Sequence, residues 1–259
     1  LGTWLLHHRR SRIEKKELAM TDTRAFFRAI GLTKSVAGRE LVTDCTISLF
    51  PGEICAIIGP NGAGKTTLFK MLAGLTIPTS GTIRFEGELF DSASQSEILP
   101  RIGSMIDAPE FRAKATAREV LQLHIDMLGI RPETSIQEQL NTVGLAGAGD
   151  SPVASFSLGM KQRLAFARAT FHQPTLLLLD EPANGLDPDG ATELRRALTD
   201  TASQGTGVLV ASHILSELER SVHSVAVLSN GYLGTKRSLP EVLDEHAGSL
   251  ENFYRSATN

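Results

Sequence analysis

Six runs along the chain are apolar or strand-like in composition: 25–30, 54–58, 82–85, 175–179, 208–212 and 225–228. Several, above all 54–58 and 176–179, are apolar at successive positions and not merely at alternate ones. A strand carries that pattern when both of its faces are buried. Such strands, separated by helical segments, predict an α/β core: a mainly parallel sheet covered by helices on both sides. Other strands are joined by short polar turns. Glu86-Gly87-Glu88 follows one, and Ser229-Asn230-Gly231 offers a hairpin turn after Leu228. These turns predict an antiparallel β annex.

Between Asp107 and Ser157 the period changes to that of a helix. Thr116 and Glu119 have capping-box spacing and lead into Val120, Leu121, His124, Ile125 and Leu128. Ile136, Leu140 and Val143 repeat the pattern, and Gly144 stops it. An α-helical insert over about 108–156 is therefore expected. His124 falls on its apolar stripe and reads as a core histidine, not a metal ligand. No internal repeat or low-complexity tract interrupts the chain.

Composition narrows the field. A chain of 259 residues suits one or two domains, and 41% hydrophobic against 21% charged residues excludes a disordered or collagen-like polymer. With 26 basic and 29 acidic residues the net charge is -3, so no global field draws the protein to nucleic acid. The longest aliphatic run near a motif, the leucines at 176–179, falls far short of the ~20 residues that span a bilayer. Work at a membrane would need another chain to supply the span. Cys45 and Cys55 fit neither a disulfide framework nor zinc spacing, so they read as packing residues in a reducing compartment. In residues 1–20 a basic cluster follows Trp4-Leu5-Leu6, the wrong order for a secretory signal. That stretch is expected to be a disordered or non-native arm, and residues 236–259 a short C-terminal extension.

Gly59, Pro60, Asn61, Gly62, Ala63, Gly64, Lys65 and Thr66 fit G-x-x-x-x-G-K-[ST] directly after an apolar strand, the context this motif requires. The glycines let successive backbone N–H groups face one anion, and the helix that follows presents its positive end to the same anion. Lys65 would reach the β- and γ-phosphates of ATP, the Thr66 hydroxyl would hold Mg²⁺, and Thr67 completes the phosphate contacts. A second buried strand ends in Asp180-Glu181-Pro182, at the edge where open α/β sheets bind ligands. That division of labour gives Asp180 to the Mg²⁺ shell and Glu181 to the attacking water.

Further along, Ser157-Leu158-Gly159-Met160 resembles the signature of ATP-binding cassette (ABC) proteins, usually written L-S-G-G-Q. Leu158 and Met160 replace the first glycine and the glutamine. Asn184-Gly185-Leu186-Asp187-Pro188 resembles the family's D-loop, and His213 its switch histidine. The resemblance covers about 25–235 and implies a P-loop NTPase core hydrolysing ATP with Mg²⁺. It also implies a head-to-tail dimer, of two copies or of paralogues, in which each ATP lies between one chain's phosphate loop and the other's Ser157, Gly159 and Asp187. Two positions depart from the family. Val36 stands where an aromatic residue usually stacks on adenine, which predicts weaker or less selective base binding. Asp107 stands where a glutamine usually touches Mg²⁺, a role a carboxylate could fill through water.

The insert is too short for the coiled arms of chromosome-organising cassettes, and there is one phosphate loop. The resemblance therefore points to the ATPase subunit of a transporter, cytoplasmic and held at the inner face of the membrane by a separate integral-membrane permease. Its signature looks most like that of subunits exporting bacitracin- and lantibiotic-type peptides. The rival from another class is a soluble cassette scaffold, as in iron–sulfur cluster assembly. A third reading is a nucleotide sensor with little turnover.

Overall fold

The computed structural model describes residues 24–107, 110–212 and 221–258. Five parallel strands form its centre: β3 (Ile54–Ile58), β6 (Ile102–Met105), β7 (Leu176–Asp180), β8 (Gly207–Ser212) and β9 (Ser224–Ser229). They lie in the order β9-β3-β8-β7-β6. Two short strands, β10 (Tyr232–Leu233) and β11 (Arg237–Ser238), pair antiparallel with β9. The expected annex is a separate four-stranded antiparallel sheet in the order β2-β1-β4-β5. Its strands are β1 (Phe27–Val36), β2 (Arg39–Leu49), β4 (Ser80–Phe85) and β5 (Glu88–Leu89). Both turns read from the sequence are present, since Phe85 pairs with Glu88 and Ser229 with Tyr232.

The double-sided burial of the central strands is visible residue by residue. Ile54, Ala56 and Ile58 join one apolar cluster while Cys55 and Ile57 join the other; Leu177 and Leu179 oppose Leu176 and Leu178 in the same way. On one face, helix α1 (Lys65–Leu72) and the antiparallel sheet close the core with Leu68, Phe69, Phe27 and Phe85. The helical insert supplies α2 (Ala117–Leu128) and α3 (Ile136–Thr142) to the other face. There they meet α4 (Leu158–Thr170) and α5 (Pro188–Ser203). The capping box of α2 forms as expected, with Thr116 accepting from Glu119 N and Glu119 reaching back to Thr116 N. A second one, unread in the sequence, starts α3 at Ser135 and Glu138.

The C-terminal stretch is part of this core. Helices α6 (Leu239–Glu245) and α7 (Leu250–Thr258) bury Leu239, Val242, Leu250 and Phe253 against β9 residues of the same cluster. Both cysteines are buried, as a packing role requires. Burial, with Glu53 adding to it, pushes the Cys55 thiol up to about 12, which leaves no thiolate to react. The N-terminal arm lies outside the described residues.

His124 is half-buried and is not surrounded by aliphatic residues alone. Its Nε2 lies 3.2 Å from His172 Nδ1, joining α2 to the turn that follows α4. Burial first, then His172 and Arg168, pushes His124 down to about 4. Between about pH 6.5 and 4 the unfolded chain therefore binds the extra proton, and stability present above that window is lost as pH falls through it. A His124→Gln variant should show a shallower fall in melting temperature across this window than the parent. Equal slopes in thermal denaturation would remove His124 from the acid response.

Candidate nucleotide-binding site

Strand β3 is buried at all five positions and is paired on both sides, so its carboxyl end is fixed in the sheet. The chain then turns through 59–64 and enters α1 at Lys65. Gly64 is the N-cap of that helix at φ +105°, a left-handed value costly to any side chain. A Cβ there would also stand 2.5 Å from the Leu41 carbonyl oxygen. No side chain caps α1 and its first turn holds no acidic residue, which leaves its N–H groups to an anion.

Lys65 is almost fully buried. Its ammonium donates to the carbonyls of Gly59 at 2.8 Å and Pro60 at 3.3 Å, and pairs with Glu181 Oε1 at 3.2 Å. The Thr66 hydroxyl donates to Asp180 Oδ2 at 2.5 Å, joining the phosphate loop to the end of β7. Asp180 Oδ1 is buried with no hydrogen-bond partner among the described residues. Burial raises the Asp180 carboxyl above its usual range; the Thr66 bond lowers it, Glu181 raises it, Lys65 lowers it and Asp107 raises it. An orphaned buried carboxylate oxygen beside a hydroxyl is the hard-oxygen donor set that suits Mg²⁺. Glu181 sits at φ +51°, and its N–H donates to Ala211 O at 2.9 Å. That strained backbone, costing on the order of 1 kcal/mol, aims a carboxylate at Lys65.

These groups open on a cleft of about 500 Å³, in the range of small-ligand sites. Its floor is Lys65, Thr66, Thr67, Asp180 and Glu181, with Pro60, Asn61, Gly62 and Gly64 of the loop beside them. A further wall, against the phosphate loop, is Arg39, Glu40 and Leu41 of β2 with Asn230 and Gly231 of the β9–β10 turn. Of these, Asn230 and Gly231 were read from the sequence only as a hairpin turn, and Arg39, Glu40 and Leu41 carried no motif. The signal that could have found them is the pairing of β2 with its hairpin partner, which a local reading does not supply.

The signature and D-loop form a second cluster that does not border the cleft. Ser157 Oγ accepts from Met160 N at 3.2 Å and caps α4, while Asp187 Oδ1 accepts from Gly190 N at 2.8 Å and caps α5. Leu158 lies over Gly185. A Cβ on Gly185 would stand 2.3 Å from Leu158 Cδ2, and one on Gly159 would stand 3.3 Å from the Gly185 carbonyl oxygen. The residue substituted into the signature is thus packed on the D-loop. Each cluster holds half of what the sequence reading placed around one ATP.

The two departures also have definite places. Asp107, at φ +65°, pairs with Lys70 Nζ of α1 at 2.7 Å and does not border the cleft. Val36 is half-exposed and does not border it either. His213 lies outside the described residues.

An anion-binding helix start, a buried lysine and a threonine–aspartate pair on adjoining elements of a parallel sheet define a P-loop nucleoside triphosphatase. A family model described as ABC transporter matches residues 42–184. The chain is 42% identical over 222 residues to the uncharacterized ABC transporter ATP-binding protein YcbN of Bacillus subtilis, covering 85% of this chain and 72% of that one. It is 45% identical over 203 residues to the bacitracin transport ATP-binding protein BcrA of Bacillus licheniformis, covering 78% and 66%. With the lantibiotic transport ATP-binding protein SrtF of Streptococcus pyogenes it shares 40% identity over 200 residues, covering 77% and 85%. A solved ATP-binding subunit of an ABC transporter superposes with a TM-score of 0.81 at 27% identity, over 90% of this chain and all of that one. The dimeric cassette MJ0796, at 22% identity and a TM-score of 0.73 over 82% of this chain and 98% of that one, shares the fold. The chain belongs to the ABC transporter family, as an ATP-hydrolysing cassette.

Gly64→Ala should destabilise the protein by about 1 to 3 kcal/mol in urea unfolding, because strain and a backbone clash coincide there. Gly62→Ala should cost less, since at φ +79° its Cβ meets nothing within 4 Å. Equal midpoints for the two variants would contradict the close packing of Gly64 on Leu41.

Proposed function

We propose that this chain powers a transporter whose membrane-spanning permease is a separate protein, and that the cargo is a peptide antibiotic or drug moved outward. The carrying observation is the meeting of Lys65, Thr66, Asp180 and Glu181 at the carboxyl ends of β3 and β7. Export of peptides is supported by the relatives named for bacitracin and lantibiotic transport. Among the described residues no helix is long and apolar enough to cross a membrane, in keeping with a permease on another chain. The proposed place of work is the inner face of the cell membrane.

In this reading the N–H groups of 59–66 and Lys65 bind the phosphates, and Lys65 exchanges its bond to Glu181 for the γ-phosphate. Glu181, released, orients and deprotonates the attacking water. Thr66 and Asp180 would hold Mg²⁺, which neutralises charge on the β- and γ-oxygens when bound. Asp107 would reach that ion through water after leaving Lys70, and His213 would lie beside the γ-phosphate. Ser157, Gly159 and Asp187 of a second protomer would complete the site, as the family resemblance implies; within one chain they do not border the cleft. The second protomer is a further copy or a paralogue. Hydrolysis would remove the group that holds the two together, and the opening stroke would pass to the permease.

Glu181→Gln should still bind ATP, hydrolyse it about 10²- to 10⁴-fold more slowly and accumulate as an ATP-dependent dimer on size exclusion. Turnover near the parent's would remove Glu181 from the base role. Affinity purification from membranes of the native host should recover a polytopic protein with this chain; a wholly soluble complex would favour an assembly scaffold instead.

A further inference from the structure

The cleft contains a wall that the phosphate chemistry leaves unused. Among the described residues no aromatic side chain borders it, and the position expected to carry one, Val36, is outside its lining. Across the hairpin from Val36 stands Arg39. Only Ala37 and Gly38 separate them, both left-handed at φ +49° and +79°, so the turn is the tight two-residue type that keeps its flanking strands in register. Val36 and Arg39 are direct cross-strand partners, and directly opposed residues project from the same face of a ladder. The side chain leaving this face and bordering the cleft is that of Arg39.

The neighbouring residues fix the strand that carries it without using its charge. Leu41 O lies against Gly64, and Thr43 N donates to Gly231 O at 2.8 Å, which fixes β2 between the phosphate loop and the β9–β10 turn. Glu40, beside it, is engaged through Oε2 by the Thr43 hydroxyl at 2.7 Å. The Arg39 side chain is exposed and makes no hydrogen bond or ion pair among the described residues. Two residues farther from Gly64 than Leu41, it stands about 7 Å along the strand from the phosphate loop. Phosphates held on that loop would place the nucleoside part of the ligand toward this wall.

We propose that the guanidinium plane of Arg39 is the platform on which the nucleotide base stacks, in place of an aromatic ring. A guanidinium is planar, weakly hydrated and able to lie flat on a base, whereas an ammonium offers a point charge and no plane. This inference rests on the reading of the cleft as the ATP site, and it replaces the expectation of weak base binding drawn from Val36. The alternative use of Arg39, as a counter-charge to the phosphates, needs charge and no plane, and so separates cleanly by experiment.

Calorimetric titration with ATP and with inorganic tripolyphosphate, which has no base, tests it in the full chain. Arg39→Ala should weaken ATP about 5- to 30-fold and leave tripolyphosphate unchanged. Arg39→Lys should fail to restore ATP affinity, whereas adding Val36→Tyr to Arg39→Ala should restore it. An unchanged ATP affinity in Arg39→Ala, recovery by lysine, or an equal loss of tripolyphosphate overturns the proposal. Lys65→Ala is the control on the site itself: it should lose both ligands, and retention of both would reject the cleft as the phosphate site independently of Arg39. Circular dichroism with thermal melts confirms that the exposed substitution leaves the fold intact.

Discussion

The bond between Thr66 and Asp180 is the interaction on which the rest of this structure turns, because it ties two elements far apart in sequence at one edge of one sheet. It depends on register. β3 and β7 do not touch; β8 lies between them, with Ile58 opposite Ser212 and Asp180 opposite Ala211. A slip of one residue in either ladder would turn Asp180 to the other face of the sheet. The leucines of β7 and the isoleucines of β3 prevent this, since each has a buried place on its own side. Apolar packing thus sets the aim of a buried carboxylate.

That packing also keeps charge in a place where charge is costly. Lys65 and Asp180 are both nearly removed from water, and a buried ion is tolerated only with partners. Lys65 finds two carbonyls and Glu181. Asp180 is only partly satisfied, with one oxygen on Thr66 and the other on nothing among the described residues. The site is therefore built short of positive charge around the carboxylate and provided with N–H groups for an anion. A magnesium-bound triphosphate matches both demands at once.

Much of this was readable from the chain because its chemistry is contiguous. The phosphate loop, the Asp180-Glu181 pair and the capping box at Thr116 are local patterns, and the apolar runs gave the buried strands. What escaped was long-range. Strand β2, polar and exposed near its hairpin end, shows little apolar pattern there, yet it supplies a wall of the cleft. The pairing of Asp107 with Lys70 and of Lys65 with Glu181 joins residues that only the folded sheet brings together. Likewise, His124 looked like an apolar-stripe residue because His172, its neighbour in space, is 48 positions away. The C-terminal helices read as an extension because nothing in their sequence tells that β9 receives them.

The leaning of Leu158 on Gly185 has a mechanical meaning. Side chains packed to interior density transmit displacement instead of absorbing it. With Gly159 set against the Gly185 carbonyl as well, the first turn of α4 cannot swing without dragging the loop that leads back to Glu181. A displacement of that turn would then be passed, within one protomer, to the loop that leads back to Glu181. The Leu158 side chain fills the space over Gly185 that a glycine there would leave open, and so makes that linkage stiffer.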